Sequence, residues 1–279
     1  PYRAVVLPNV ALLSDQQCDQ LAGYLGRGGS LVATFETSLY DRRGQPRDNF
    51  GLGRVLGVTA QSGLQGPLLN SYARIEKPHP ILEGLPQTGL LPGAEYRVKV
   101  ATGSAEAPVL SYLPPYPAFP PEMVFPRVEK TDEPAVVLRE TGAGRVAYFP
   151  GDVDRSFWRS GHQDLGRLLA NTVRWAAGER LALEIAGPGL VDLFLWETEP
   201  GMALHLINYT NPALMKVPVT ELFPLDAQQV RLRLSPGFQV KEVRLLAAGT
   251  VLPHRIEAGI LRFEIPGVRD YEVAAILRG

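Results

Sequence analysis

The feature that most constrains this chain is a change of apolar period near residue 180. Before it, runs with strand spacing alternate with runs of helical spacing. After it, no helical repeat remains, and short strand-like runs follow one another about every ten residues, separated by Gly, Pro and Asn. The switch predicts two cores: an α/β domain over residues 1–180 and an all-β sandwich over residues 181–279, meeting between Gly178 and Leu181. A length of 279 residues holds two domains of ordinary size without disulfide staples.

Within the first part, Arg3-Ala4-Val5-Val6-Leu7-Pro8 reads as a strand buried on both faces, the pattern of a parallel sheet. Ser14 followed by Gln17 has the spacing of a capping box. Behind it, Cys18, Leu21, Ala22 and Leu25 form one apolar helix face, ended by Gly28-Gly29. Residues 31–35 make the next buried strand, so the opening is a β-α-β unit with a parallel crossover. An exposed loop is expected over 40–49, a short helix within 50–58, and a loop-rich stretch over 64–93 holding one strand near 72–75. Further strands are expected at 96–100 and 109–113. The six prolines in 114–126 exclude a central strand and predict an ordered surface loop bearing Tyr116, Phe119 and Phe125. Residues 135–139 and 145–149 flank Thr141-Gly142-Ala143-Gly144 as a hairpin, and 164–177 form a helix stopped by Gly178. Beyond it, strands are expected at 191–196, 203–209, 229–234, 240–246, 255–257, 260–265 and 272–277.

The formal net charge of −1 argues against a nucleic-acid partner, and no apolar run approaches the roughly 20 residues of a membrane span. The single cysteine, Cys18, allows no internal disulfide and fits a reducing compartment, which favours the cytoplasm. Its place on an apolar helix face predicts a buried, inert thiol, and no G-x-S-x-G elbow occurs in the chain. His79, His162, His205 and His254 are scattered and no pair has metal-ligand spacing, so neither metal nor cofactor is expected. His205 falls inside a strand and is read as a satisfied core or surface residue.

The densest acidic segment is Gly151-Asp152-Val153-Asp154-Arg155-Ser156-Phe157-Trp158, at the end of an expected strand. Asp152 and Asp154 are read first as ordering a loop before the last helix. The alternative is that they bind an ion or sugar hydroxyls, with Trp158 stacking on the sugar. Glu36, Thr37, Ser38 and Asp41 follow the second strand at the same edge, where a catalytic group would sit. A two-carboxylate site would need Glu36 and Asp152 about 5–10 Å apart. In the sandwich, Trp196 and Tyr209 are read as core or rim residues rather than a sugar platform.

Three stretches carry a family resemblance: Tyr2-Arg3-Ala4-Val5-Val6-Leu7-Pro8-Asn9, Leu13-Ser14-Asp15-Gln16-Gln17, and Gly28-Gly29-Ser30-Leu31-Val32-Ala33-Thr34. They resemble the second half of a class I glutamine amidotransferase-like domain, in the variant that trimerises family 42 beta-galactosidases. His79-Pro80-Ile81-Leu82-Glu83-Gly84-Leu85 is similar to a segment of the trehalose-utilisation-like branch, and Leu168 to Gly178 is similar to the closing helix of such domains. The resemblance covers about residues 1–180 and implies a flavodoxin-like, mostly parallel sheet. It departs where authentic amidotransferases carry a cysteine after the second strand, since this chain reads Phe35-Glu36-Thr37-Ser38. That departure implies a missing catalytic apparatus. The family fold also begins with a strand and helix before the unit seen here, so Pro1 is expected to fall in mid-domain.

The resemblance therefore implies a non-catalytic module of a larger glycoside-hydrolase-like protein. Its partners would be further copies in a homo-oligomer, an N-terminal barrel domain, or both. The surface for them is expected in the 114–126 loop together with Asp152–Trp158, through Tyr116, Phe119, Phe125, Phe157 and Trp158. The competing expectation is a stand-alone sugar-binding protein or hydrolase using the Glu36/Asp152/Asp154 edge.

Overall fold

The computed structural model describes residues 2–85, 88–103, 107–142, 144–178, 181–210 and 221–279. Ala143 in the expected hairpin turn and residues 179–180 at the expected boundary lie outside them. Strands occupy 40 % of the chain and helices 17 %, so the chain as a whole is β-rich. It divides into two compact units, Pro1–Arg180 and Leu181–Gly279.

The first unit opens with β1 (Ala4–Leu7), α1 (Asp15–Gly26) and β2 (Ser30–Thr34), and β1 pairs with β2 in parallel. Ser14 and Gln17 cap α1 reciprocally, each side chain accepting from the other's backbone N–H. After the short α2 (Gly53–Leu56) the chain builds two small antiparallel sheets. In one, β3 (Val58–Gln65) pairs with β6 (Arg97–Thr102); in the other, β4 (Tyr72–Ile75) lies between β5 (Leu90–Pro92) and β7 (Leu110–Leu113). Then β8 (Val137–Thr141) turns back into β9 (Gly144–Phe149), which joins β2 in parallel and completes a sheet of order β1-β2-β9-β8. The unit closes with α3 (Val153–Ser160) and α4 (Gln163–Ala177).

Every residue of β2 is buried because its sheet has a core on each face. Ala33, Val146 and Tyr148 face one core, with Cys18 and Leu25 of α1 and Leu56 of α2. Val32, Ala147 and Phe149 face the other, with Leu168, Trp175 and Ala176 of α4. The backbones of β9 and the α1–β2 turn approach closely: a Cβ on Gly144 would sit 2.3 Å from the Gly29 carbonyl oxygen.

The central sheet is parallel in two of its three pairings, β1–β2 and β2–β9, and antiparallel at β8–β9, while the two small sheets are antiparallel. The loop expected before the last helix is instead α3, whose first turn contains Asp154. Val153 and Phe157, four residues apart, are a single apolar pair in a helix of about two turns, too short a repeat to declare a period, while an acidic first turn and the αL Gly161 suit a helix start and stop.

The second unit holds β10 (Leu183–Ala186), β11 (Val191–Thr198), β12 (Gly201–Asn208), β13 (Gln228–Arg233), β14 (Val240–Leu245), β15 (Val251–Leu252), β16 (His254–Glu257), β17 (Ile260–Ile265) and β18 (Tyr271–Arg278). They form two antiparallel sheets, β10-β13-β17-β16 and β11-β12-β18-β14-β15. Alternation is strict in β12: Met202, Leu204 and Leu206 point into the core with Leu232, Leu261, Phe263 and Ile276. Trp196 and Tyr209 are not core residues, and Trp196 is 60 % exposed.

Leu204 is fully buried among these residues. Leu204→Ala is expected to lower the unfolding free energy by about 2–5 kcal/mol. Chemical denaturation measures it, and a loss below about 1 kcal/mol would contradict its central place in this core.

Candidate functional site

The sequence marks the C-terminal end of β2 as the place for a catalytic group, and the backbone there has an elbow. Phe35 follows the strand with φ of 53°, in the left-handed region that is uncommon for a large side chain. Its N–H donates to the Phe149 carbonyl at 2.7 Å, and its own carbonyl accepts from the Tyr148 hydroxyl at 2.6 Å. The Phe35 ring is buried in the core. Thr37 donates its hydroxyl to the carbonyls of Thr34 and Leu7, and the Ser38 hydroxyl oxygen accepts from Leu52 N–H. Both residues have no exposure. The hydroxyls at this edge therefore hold the loop and offer no accessible nucleophile. Asp41 accepts from the N–H groups of Gln45 and Arg43, which lower its pKa below the ordinary carboxylate value.

Glu36 is half-buried, and its carboxylate accepts from the Tyr40 hydroxyl at 3.1 Å. That bond raises the Tyr40 pKa. Glu36, Tyr40, Arg47, Asp48 and Gln61 line a cleft of about 360 Å³ whose apolar wall includes Leu64 and Val98. Arg47 is fixed by Asp15 at 2.6 Å and by the Leu13 carbonyl at 2.9 Å. Asp48, Tyr40 and Gln61 were not singled out from the sequence as groups around Glu36. The loop between β2 and β3 brings them together, and no periodic signal marks such a meeting.

Asp152 is only 1 % exposed, and its carboxylate has structural partners. It accepts from Tyr96 N–H at 2.8 Å, from the Arg155 guanidinium at 2.8 Å and from the Ser156 hydroxyl at 3.3 Å. Glu95 extends the cluster through Arg155 and Arg159. Asp152 thus ties the start of α3 to the segment before β6, and it shares no hydrogen-bond partner with Glu36. Asp154 lies in the first turn of α3, with Oδ1 buried and no hydrogen-bond partner. Among the described residues no group of three or more His, Cys, Asp or Glu side chains could hold a metal ion, and no helix is long and apolar enough to cross a membrane.

The aromatic segments divide. Trp158 is 73 % and Phe119 79 % exposed, and Phe125 and Phe157 are also exposed. Tyr116 is half-buried, its ring stacked on Tyr72 at 6.1 Å between centroids, so it belongs to local packing rather than to an open patch. Beneath the same region Arg97, 3 % exposed, pairs with Glu133 at 2.6 Å and lies 3.8 Å over the Tyr112 ring. Cys18 is buried on α1.

The fold recurs as a part of glycoside hydrolases. An alpha-L-fucosidase isoenzyme 2 from Paenibacillus thiaminolyticus matches with a TM-score of 0.68 and 20 % identity over 100 % of this chain and 41 % of its own. A beta-galactosidase from Bacillus circulans sp. alkalophilus matches at 0.61 and 16 %, over 100 % of this chain and 33 % of its own. Gan42B, a GH42 beta-galactosidase from G. stearothermophilus, matches at 0.59 and 16 %, over 98 % of this chain and 31 % of its own. The chain therefore spans from under a third to about two-fifths of the length of these proteins. No family model and no curated protein matches the sequence.

Burial pushes the Cys18 thiol above its ordinary pKa, outweighing the Arg47 guanidinium that pulls it down. The thiolate fraction at neutral pH falls accordingly. Slow labelling of the native chain by a disulfide reagent and full labelling after denaturation are expected; rapid stoichiometric labelling of the native chain would contradict this burial.

Burial alone would raise the Glu133 carboxyl, but hydrogen bonds from Lys99 and Arg97 outweigh it and leave the pKa below 4.5. Its stabilising contribution is present above that value and is lost as pH falls through the lowered one. Glu133→Gln should flatten the acid limb of stability against pH below about 4.5, read by thermal unfolding. An unchanged acid limb would remove Glu133 from the account.

Proposed function

We propose that the chain is a non-catalytic module of a larger glycoside-hydrolase-like protein. In this reading residues 1–180 are an amidotransferase-like unit of the beta-galactosidase trimerisation type. Residues 181–279 are its accompanying sandwich. The module contacts other subunits, or a barrel domain of the same protein, and supports a carbohydrate site built there. The observation that carries the reading is the elbow after β2: its strained position is held by Phe35, a side chain with no acyl-transfer chemistry, and the neighbouring Thr37 and Ser38 hydroxyls are engaged internally. The partial coverage of three glycoside hydrolases by the whole length of this chain supports the same reading.

The Glu36 cleft favours one further role. Carboxylate, phenol, carboxamide and an apolar wall around a space of about 360 Å³ suit a neutral polyhydroxylated ligand. A stand-alone sugar-binding protein using this cleft is the second reading. Asp152 no longer belongs to it, because its carboxylate is occupied by Tyr96, Arg155 and Ser156.

For the assembly role, Phe119 and Trp158 are the residues to change, since both are exposed and neither belongs to a core. In the longer protein, Phe119→Ser with Trp158→Ser is expected to lower the mass in solution while the protomer stays folded. Light scattering measures it. Unchanged mass with wild-type hydrolysis of the glycoside the longer protein cleaves would remove these residues from any interface.

A further inference from the structure

The five-stranded sheet of the second unit buries one face in the core and leaves much of the other accessible, with Val273 at its middle only 8 % exposed. Residues that alternate with the core positions point outward in register. Trp196 stands opposite Ala203, which stands opposite Ala275. In the next row Phe194 stands opposite His205, and His205 opposite Val273. In the third, Asp192 stands opposite Ile207, and Ile207 opposite Tyr271. Tyr209, one residue beyond β12, continues the alternation and donates its N–H to the Leu190 carbonyl. Trp196, Phe194 and Tyr271 are 60 %, 43 % and 41 % exposed. The small residues Ala203 and Ala275 beside Trp196 leave its ring standing at the edge of a level shelf.

We propose that this face binds a neutral oligosaccharide chain, a second carbohydrate contact separate from the Glu36 cleft. Three arguments select this occupant. First, the size fits: with strands about 4.8 Å apart and side chains on one face about 6.8 Å apart along a strand, the three aromatic-bearing rows on β11, β12 and β18 cover on the order of 200–300 Å², the span of two or three sugar rings. Second, the charge fits: Glu242 and Arg244 on the neighbouring β14 pair with each other at 2.7 Å, which leaves Asp192 as the charged acceptor among the aromatic rows. A face so balanced attracts neither a polyanion nor a polycation. Third, the chemistry fits: apolar rings suit the C–H faces of sugars, and Asp192 with the hydrogen-bonded pair of His205 Nδ1 and Tyr271 hydroxyl, 2.5 Å apart, offers partners to sugar hydroxyls.

The choice of a galactose polymer as first probe rests on the glycoside-hydrolase reading; the platform itself does not. The test is affinity electrophoresis of the full 279-residue chain in native gels containing β-1,4-galactan, hydroxyethyl cellulose or laminarin. Retardation by at least one polymer is expected. Trp196→Ala should weaken it about tenfold, Phe194→Ala should weaken it too, and Trp196→Phe should restore part of it, with thermal midpoints near wild type because these side chains are exposed. Retardation by the glucans alone would count against a galactoside reading and still support the platform. No retardation by any of the three overturns it. So does retardation that survives Trp196→Ala and disappears in Glu36→Gln, which would assign the sugar to the cleft. A fall in solution mass caused by Trp196→Ala would make the face an assembly contact and overturn it as well.

Discussion

The hydrogen bond from the Tyr148 hydroxyl to the Phe35 carbonyl holds the point on which the first unit is organised. Tyr148 lies in β9, fully buried, and burial pushes its phenol pKa well up, so it stays a neutral donor. Phe35 lies where β2 ends and the chain must turn, in a conformation that costs on the order of 1–3 kcal/mol for a side chain of its kind. The surroundings over-determine it: the Phe149 carbonyl accepts its N–H, the Tyr148 hydroxyl donates to its carbonyl, and its ring packs in the core. Because the elbow is fixed, Asn9, Thr37 and Ser38 can lock the loops that leave β1 and β2, and Glu36 is left facing a cleft rather than a core.

A tight strand-to-turn elbow is the kind of backbone on which acyl-transfer enzymes mount a nucleophile. Here the same backbone carries Phe35, and its chemistry is packing. The strain at this position is balanced by tertiary contacts. The Asp152 cluster does the corresponding work at the end of β9. A buried carboxylate accepting from Tyr96 N–H and from Arg155 joins α3 to the segment before β6, and removing one partner would leave the others uncompensated.

Elements whose signal is local were legible in the sequence. The capping box at Ser14 and Gln17, the apolar run of β2 and the alternation of β12 each appear as patterns within a dozen residues. What depends on distant partners was not. The Val58–Gln65 strand is interrupted by polar residues and Gly63, and its register with β6 shifts between Ala60 and Leu64. Helix α3 is only about two turns long and repeats its apolar face once, at Val153 and Phe157, so Asp152 and Asp154 read as loop or ligand groups. The positive φ at Phe35 leaves no mark in composition at all. Of the candidate residues, Glu36 reached a cleft, while Asp152 proved structural because its ligands, Tyr96 and Arg155, come from a segment 56 residues away and from the next helical turn. Tyr116 looked exposed in a proline-rich loop, yet Tyr72 from β4 covers its ring.

The central claim is that this chain scaffolds a carbohydrate-active protein without performing hydrolysis itself. The direct measurement is turnover of chromogenic aryl β-galactoside and aryl α-fucoside by the purified 279-residue chain, with Glu36→Gln as the paired variant. The account predicts release no faster than buffer for both proteins. Turnover by the wild-type chain that Glu36→Gln abolishes would contradict it, and would make the cleft beyond β2 an active site.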